Sequence, residues 1–502
     1  MKTLLIFFLL CATAFPVTVT IYNPSTTGAD SIHSNTNPAQ NFKGYQSRIA
    51  TDVDGSLYAI VPDSVDGSGL SRPSLIVSPD AGTTWKKKPR PYNINQRMPY
   101  SGLFAWGDSC FAFWAGAAAS TSLPHVVTVH KEDTASAYID TLMATTGTSS
   151  YDQIAVAGLH LGVGYELWNF VGRDTNSVVP WFVRSSIGAI DGTGTWATQD
   201  SSSTWAAGAR FTTPSGYIFA YEEASDRLRL AAWTNNSCPS TCTSIDTIAT
   251  ILGFNPSHAT SGYGNVTMGR AAYDMQFLYD STPDVGPVFG VAWMNKDTCL
   301  LFKKYLHTGT VPNSAWTLIG ADADTIVGPG PFTVPTTGKP WTVGQPSLTV
   351  VDSGTYTAEN LQVQCKALVL TYAYPPNKSY VDSIRICCKV SLDKGATWSA
   401  ESTLVASGGA NRSTRAFLST TPHAYWGVPA SGQITYWAGW GDSIYAEANT
   451  YGLDSVHFAK IVLTTSASAP TTTGLRRRKL LTARTPIDAP PISEQNVWMI
   501  KE

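Results

Sequence analysis

"SPDAGTTW", residues 78–85, and "SLDKGATW", residues 391–398, are written to one pattern, S-x-D-x-G-x-T-W. The fixed positions are Ser78 and Ser391, Asp80 and Asp393, Gly82 and Gly395, Thr84 and Thr397, and Trp85 and Trp398. Agreement at all of them, far apart in one chain, marks a structural repeat. The residue types are those of a turn. An Asp side chain accepts hydrogen bonds from turn N–H groups, and Gly permits a positive φ. The Trp then returns the chain to the sheet and covers the hairpin. A degenerate copy, "DGTGTW" from Asp191 to Trp196, keeps the Asp-to-Trp spacing with a displaced Gly. "DSSSTW", from Asp200, lacks the Gly and follows too closely, so it reads as coincidence.

Around the octets run short alternating segments such as "GSLYAIVPD", "SCFAFWAG", "GYIFAYEE", "PVFGVAWM" and "ALVLTYAY". Each carries β-branched or aromatic positions and is bounded by Gly, Pro, Asp or Ser, the pattern of a strand between turns. Helical periodicity is almost absent, so the chain reads as all-β. The strands recur in cycles that start at Tyr45, Pro99, Tyr151, Ala207, Met268, Gly344 and Thr414. At roughly 60 residues per cycle, this is longer than the usual propeller blade, and six blades with long loops fit nearly as well as seven.

The 502 residues carry only 14% charged side chains and a net charge of −2. A nucleic-acid footprint needs a basic stripe, which this balance does not supply. The N-terminal "MKTLLIFFLLCATAF" has the parts of a secretory leader: Lys2, an apolar run from Leu4 to Leu10, and the small-x-small site Ala12-Thr13-Ala14. The apolar run is too short to span a bilayer, which takes about 20 residues. The expectation is an exported chain without a membrane span. Beyond the leader lie Cys110, Cys238, Cys242, Cys299, Cys365, Cys387 and Cys388. Export permits disulfides. Cys238 and Cys242 could close a small loop, and Cys365 could face Cys387 or Cys388 on an adjacent strand. The odd count leaves at least one thiol unpaired. No Cys/His spacing supplies a zinc site, and no cofactor motif is present.

The octets resemble the Asp-box, or BNR repeat, of sialidase-like β-propellers. The resemblance implies a single propeller of four-stranded antiparallel blades, six or seven in number, with each box as the hairpin between the two outer strands of a blade. It implies that the boxes sit on the rim, away from the ligand face. The chain then divides into a leader (1–14), an N-terminal extension (15–44), the propeller (45–463) and a Thr/Pro-rich and basic tail (464–502). The tail carries Arg476, Arg477, Arg478, Lys479 and Arg484. It reads as a solvated segment or a short anchor for an anionic partner surface.

In sialidases of this fold, three arginines hold the substrate carboxylate, a Tyr activated by a Glu is the nucleophile, and an Asp is the acid/base. "YQSRIATDVDGSLYAIV" is similar to the family's first-blade segment, with Arg48-Ile49 in place but Ala50 where the family has Pro. Arginines also open later cycles: Arg210, Arg270 and Arg415. The resemblance thus implies Arg48, Arg270 and Arg415 as the triad and Tyr445 as the nucleophile. It implies Glu223, beside Glu222, as the base and Asp66, near Asp63, as the acid/base. Read without the family, each has an ordinary role: an inner-strand arginine pairs between blades, Glu223 pairs with Arg227, and "VPDSVDGSG" is a turn. Trp426, Trp437 and Trp440 in "AYWGVPASGQITYWAGWGDSIY" are candidates for stacking on sugar rings. Alternation on a strand would instead send some of them into packing between blades.

Three functions follow as expectations. The first is a secreted propeller that recognises a glycan or glycoprotein, with or without hydrolysis. The second is an exo-acting glycosidase of sialidase type on an acidic sugar. The third is a protein-binding or structural propeller at a cell or particle surface.

Overall fold

In the computed structural model, the described residues are those of 29 strands together with Ser56, Pro79, Asp80, Gly82, Thr84, Trp85 and residues 392–401. No helix occurs among them. All the strands lie in the unit Met1–Ala469; a second unit, Pro470–Glu502, lies outside the described residues.

After β1 (Val17–Tyr22), the chain folds into successive antiparallel meanders of four strands. The first comprises β2 (Ile49–Thr51), β3 (Leu57–Val65), β4 (Ser71–Ser78) and β5 (Lys86–Lys87). The second comprises β6 (Arg97–Trp106), β7 (Ser109–Ala117), β8 (Pro124–His130) and β9 (Ile139–Leu142). The third comprises β10 (Tyr151–Gly162), β11 (Tyr165–Asp174), β12 (Trp181–Gly188) and β13 (Thr195–Ser202). The fourth comprises β14 (Ala206–Thr213), β15 (Gly216–Glu223), β16 (Arg227–Trp233) and β17 (Asp246–Leu252). The fifth comprises β18 (Tyr273–Asp280), β19 (Pro287–Met294), β20 (Leu300–Thr308) and β21 (Ala315–Val327).

The remaining strands form one nine-stranded sheet. One part is β22 (Gly344–Asp352), β23 (Cys365–Tyr374), β24 (Arg385–Ser391) and β25 (Ser402–Val405). The other is β26 (Ser413–Thr420), β27 (His423–Trp426), β28 (Gln433–Tyr445) and β29 (Tyr451–Thr465). A short parallel pairing of β22 with β27 joins the two parts. β26 and β27 both pair with β28, on successive stretches of it. First strands therefore begin at Ile49, Arg97, Tyr151, Ala206, Tyr273, Gly344 and Ser413, within a few residues of the expected cycle starts.

One strand was not expected. β1 falls in the segment read as an N-terminal extension, and it pairs with β29 from Val17↔Thr465 to Tyr22↔Lys460. The strand region accordingly runs two residues past the expected end at 463, to Thr465.

Packing explains why the strands read as apolar on both faces. In the β22–β25 part, Val350, Leu368, Leu370 and Cys387 face a core shared with Met275, Val288, Val291 and Phe302 of the fifth meander. Their neighbours Val351, Ala367, Val369 and Cys388 face a second core with Ile434, Tyr436, Ala438, Ile461 and Leu463. The opposite side of β28 and β29 supplies Trp437 and Phe458 to a third core, with Ile49, Leu57, Ala59 and Ile76 of the first meander. The last group thus packs against both the group before it and the first meander of the chain.

The cysteine expectation needs correction. Cys365 stands opposite Asp352, whereas Cys387 and Cys388 stand opposite Tyr372 and Thr371, near the other end of β23. At about 3.3 Å per residue, that separation is far beyond disulfide reach. Cys365, Cys387 and Cys388 are all buried thiols. Burial, with the Glu401 charge second, pushes the Cys387 thiol up to about 12, so it is inert at neutral pH. Cys238, Cys242 and Cys299 lie outside the described residues.

Candidate functional site

The two octets fold into the same turn. Ser78 Oγ donates to Asp80 Oδ1 and Ser391 Oγ to Asp393 Oδ1, each at 2.8 Å. The Gly82 and Gly395 N–H groups donate to those serine oxygens at 2.6 Å. The Thr84 and Thr397 N–H groups donate to the Asp Oδ1 atoms at 2.7 and 2.8 Å. Their hydroxyls donate to Oδ2 at 2.6 Å in both turns. Gly82 and Gly395 have φ of 87° and 90°, conformations that exclude most side chains. Each octet joins the third strand of its meander to the fourth, β4 to β5 and β24 to β25. The degenerate copy lies between β12 and β13, the equivalent connection, though Asp191–Gly194 are outside the described residues.

Each octet also seats its Trp on the adjacent group. Trp85 stacks on Phe458 with centroids 5.0 Å apart, and Trp398 meets Phe302 edge-on at 5.3 Å. The two Phe residues occupy corresponding places over glycines. A Cβ on Gly290 would crowd Phe302, and one on Gly439 would crowd Phe458.

These turns are tuned for charge. Hydrogen bonds from the Thr84 hydroxyl and N–H hold the Asp80 carboxyl at about 2, against an ordinary 3.8. For Asp393 the largest influence is burial, which raises the value, but the Thr397 and Ser391 hydrogen bonds outweigh it and the net shift is downward. A depressed carboxyl contributes stability above its unfolded value and loses it as pH falls through its folded value. The melting temperature should therefore fall between pH 4 and pH 2, and Asp80→Asn should flatten that slope. Identical thermal unfolding profiles for wild type and variant across this range would contradict the assignment.

Beyond the octets, a polar cluster among the described residues is one the sequence did not reveal. Tyr372 Oη donates to Glu401 Oε2, and Arg385 Nη2 donates to Glu401 Oε1, both at 2.7 Å. A phenol on a carboxylate is the bond expected of an activated Tyr. Tyr372, however, is wholly buried, and burial together with the Glu401 charge drives its phenol far up. No substrate reaches it, so the cluster is a tie between β23, β24 and the start of β25. No sequence periodicity links these three residues; only the register brings them together.

The family-derived candidates fall as follows. Arg48, Arg270 and Asp66 lie outside the described residues. In sequence, Arg48 immediately precedes β2, Asp66 immediately follows β3, and Arg270 closely precedes β18. Arg415 is near the start of β26, opposite Asp442 of β28. Tyr445 ends β28 and Glu223 ends β15, opposite Arg227. The described ones, Arg415, Tyr445 and Glu223, share one property: each is near the start of a first strand or at the end of a second. Because the strands alternate in direction, that is the end of a meander opposite its third-to-fourth connection, the connection the octets occupy in the first meander and in the β22–β25 part.

Two of the three stacking candidates need correction. Trp437 and Trp440 are buried, at 6% and 5% exposure. They point to opposite faces of β28, into the third and second cores described above. Neither offers a ring face to a sugar. Trp426 ends β27. Among the described residues, no group of three or more His, Cys, Asp or Glu could hold a metal ion. No helix there is long and apolar enough to cross a membrane.

No family model matches the chain, and no curated protein matches it in sequence. Among solved structures it is similar to the Trypanosoma rangeli sialidase, at 10% identity and a TM-score of 0.34 over 83% of this chain and 55% of that one. This chain therefore spans about half the length of that sialidase. It is also similar to YCF48 from Cyanidioschyzon merolae, at 12% identity and a TM-score of 0.39 over 82% of this chain and 95% of that one. A third is an alpha-L-arabinofuranosidase from Fusarium graminearum, at 10% identity and a TM-score of 0.35 over 89% of this chain and 98% of that one. At these scores the likenesses define no family and supply no residue correspondences.

Proposed function

We propose that the chain is an exported, sialidase-like Asp-box propeller that recognises glycans at the face opposite its octets. In this reading the meanders are seven blades, the last being β26/β27, β28, β29 and β1, and the octets are Asp-box turns on the rim. The observation that carries it is the shared end. The octets take one end of their meanders, and the described candidates Arg415, Tyr445 and Glu223, from two other groups, are at the opposite end of theirs. Two long connections, 253–272 and 328–343, also run from that end. Ligand sites in loop-bearing β folds are built from such connections on a rigid scaffold.

The test is a glycan array followed by titration of the hits. Binding of an acidic or neutral glycan at millimolar concentration or below supports the reading, and no binding to any glycan at that concentration sinks it. The hydrolytic variant of this reading has one observation in its favour. Arg415 and Tyr445 are on directly paired strands, β26 and β28, a few register steps apart. A fluorogenic sialoside assay on wild type and Tyr445→Phe decides it: turnover in the first and not the second identifies an enzyme.

A further inference from the structure

The fourth strand of each group ends its sheet, and β1 does so for the last group. An end strand presents unpaired N–H and C=O groups, a template for pairing with another chain. Most of these ends are blunted. The register skips one residue of the outer strand at Gln199 in β13, Ile248 in β17, Ile326 in β21 and Leu404 in β25. Such bulges twist an edge away from a partner. β5 is only Lys86–Lys87, and β9 has four residues with Asp140 among them. β1 has none of these devices. Its six residues keep an unbroken register, none is charged, and Val17, Thr18, Val19, Thr20 and Ile21 are all β-branched. Among the described residues, no strand pairs with its far side.

We propose that this edge is a dimer interface, at which the β1 strands of two copies pair antiparallel about a two-fold axis. Two-fold pairing sets a strand against its own reversal, and β1 suits it. Centred on Val19, the pairing opposes Val17 to the second copy's Ile21, Thr18 to its Thr20 and Val19 to its Val19. Directly opposed residues share one face of the sheet. Thr18 and Thr20 are exposed, so Thr meets Thr there, while Val17, Val19 and Ile21 are half-buried on the other face. Thr–Thr pairs and pairs of β-branched apolar residues stabilise antiparallel strands. A slip of one residue would set valines against threonines. Leu392 and Val405 pack half-buried on the same core as the β1 valines, so the apolar row they form continues across the axis.

Six residues supply less than the ~800 Å² per partner of a standard interface, so the dimer is weak and dissociates in the micromolar range. The strands run between the octet end and the end opposite it, so an antiparallel join turns the two copies end for end. In the glycan reading above, the two ligand faces then point in opposite directions, and the dimer bridges two glycan-bearing surfaces. Only that consequence rests on the glycan reading; the dimer rests on β1.

Sedimentation equilibrium of the full chain, with no glycan present, tests this. Between about 1 and 100 μM the mass should rise from that of one chain towards that of two. Thr18→Lys combined with Thr20→Lys sets lysines against lysines and should weaken dimerisation by about tenfold or more. Both sites are exposed, so the melting temperature should hold. Val19→Cys places a thiol opposite its own copy, within disulfide distance. Mild oxidation should then give a covalent dimer, while wild type, the control for the chain's own cysteines, should give none. The mass of a single chain at every concentration would overturn the proposal. So would a dimer that withstands both lysines and is not cross-linked in Val19→Cys. The readouts are a mass and a bond, so failure here leaves the glycan reading standing, and failure of that reading leaves the dimer.

Discussion

Gly395→Val should lower unfolding stability by about 3–5 kcal/mol, since two penalties fall on one residue. The first is conformational: Gly395 has φ of 90°, and a β-branched residue is a genuine outlier there. The second is steric: a Cβ at Gly395 would overlap the Phe302 ring, which is itself buried. Phe302 cannot retreat, because it also lies against Gly290 and packs edge-on to Trp398. Chemical denaturation followed by Trp fluorescence measures the effect. A loss below about 0.5 kcal/mol, the range of ordinary surface changes, would mean the turn relaxes and does not hold the two groups together. Gly395→Ala should be milder, because it keeps the overlap but not the β-branch.

Phe458→Ala should cost a similar amount, about 3–5 kcal/mol, as large-to-small changes of a buried aromatic do. Its consequence is more telling. Phe458 is on β29, near the end of the strand region, and it stacks on Trp85 of the first octet. It performs there the task that Phe302 performs for Trp398. Removing it opens a gap where the last group meets the first meander. Trp85 emission should shift to the red as water enters, and the melting temperature should fall. Phe302→Ala provides the comparison, since it opens a gap between two groups adjacent in sequence. If Phe458→Ala is neutral while Phe302→Ala is costly, the first and last groups do not depend on each other and the chain is not closed into a ring.

The parts of this structure that could be read in advance were those encoded locally. The octets are local: the hydrogen bonds in them span two to four residues, so the pattern of Ser, Asp, Gly and Thr determines the turn. The cycle starts were legible for a similar reason, because strands and turns alternate along the chain. β1 was not, since "VTVTIY" is a single short alternating run whose partner lies at the other end of the sequence. Trp437 and Trp440 were misread because β28 is buried on both faces, so alternation separates two cores rather than inside from outside. The Cys365 pairing failed because adjacency of strands says nothing of register. Tyr372, Glu401 and Arg385 meet through register and a ten-residue connection, neither of which composition encodes.

The face opposite the octets is the central claim, and one titration bears on it most directly. The chain is titrated with the best glycan from the array as wild type, Arg415→Ala and Asp393→Ala. Loss of a charged contact at the ligand face should weaken binding in Arg415→Ala by about tenfold or more. Asp393→Ala should lower stability by about 1–3 kcal/mol, because turn N–H groups lose their acceptor. Its folded fraction should bind with unchanged affinity. Undiminished binding by Arg415→Ala, together with lost binding in fully folded Asp393→Ala, would put the ligand at the octets and contradict the account.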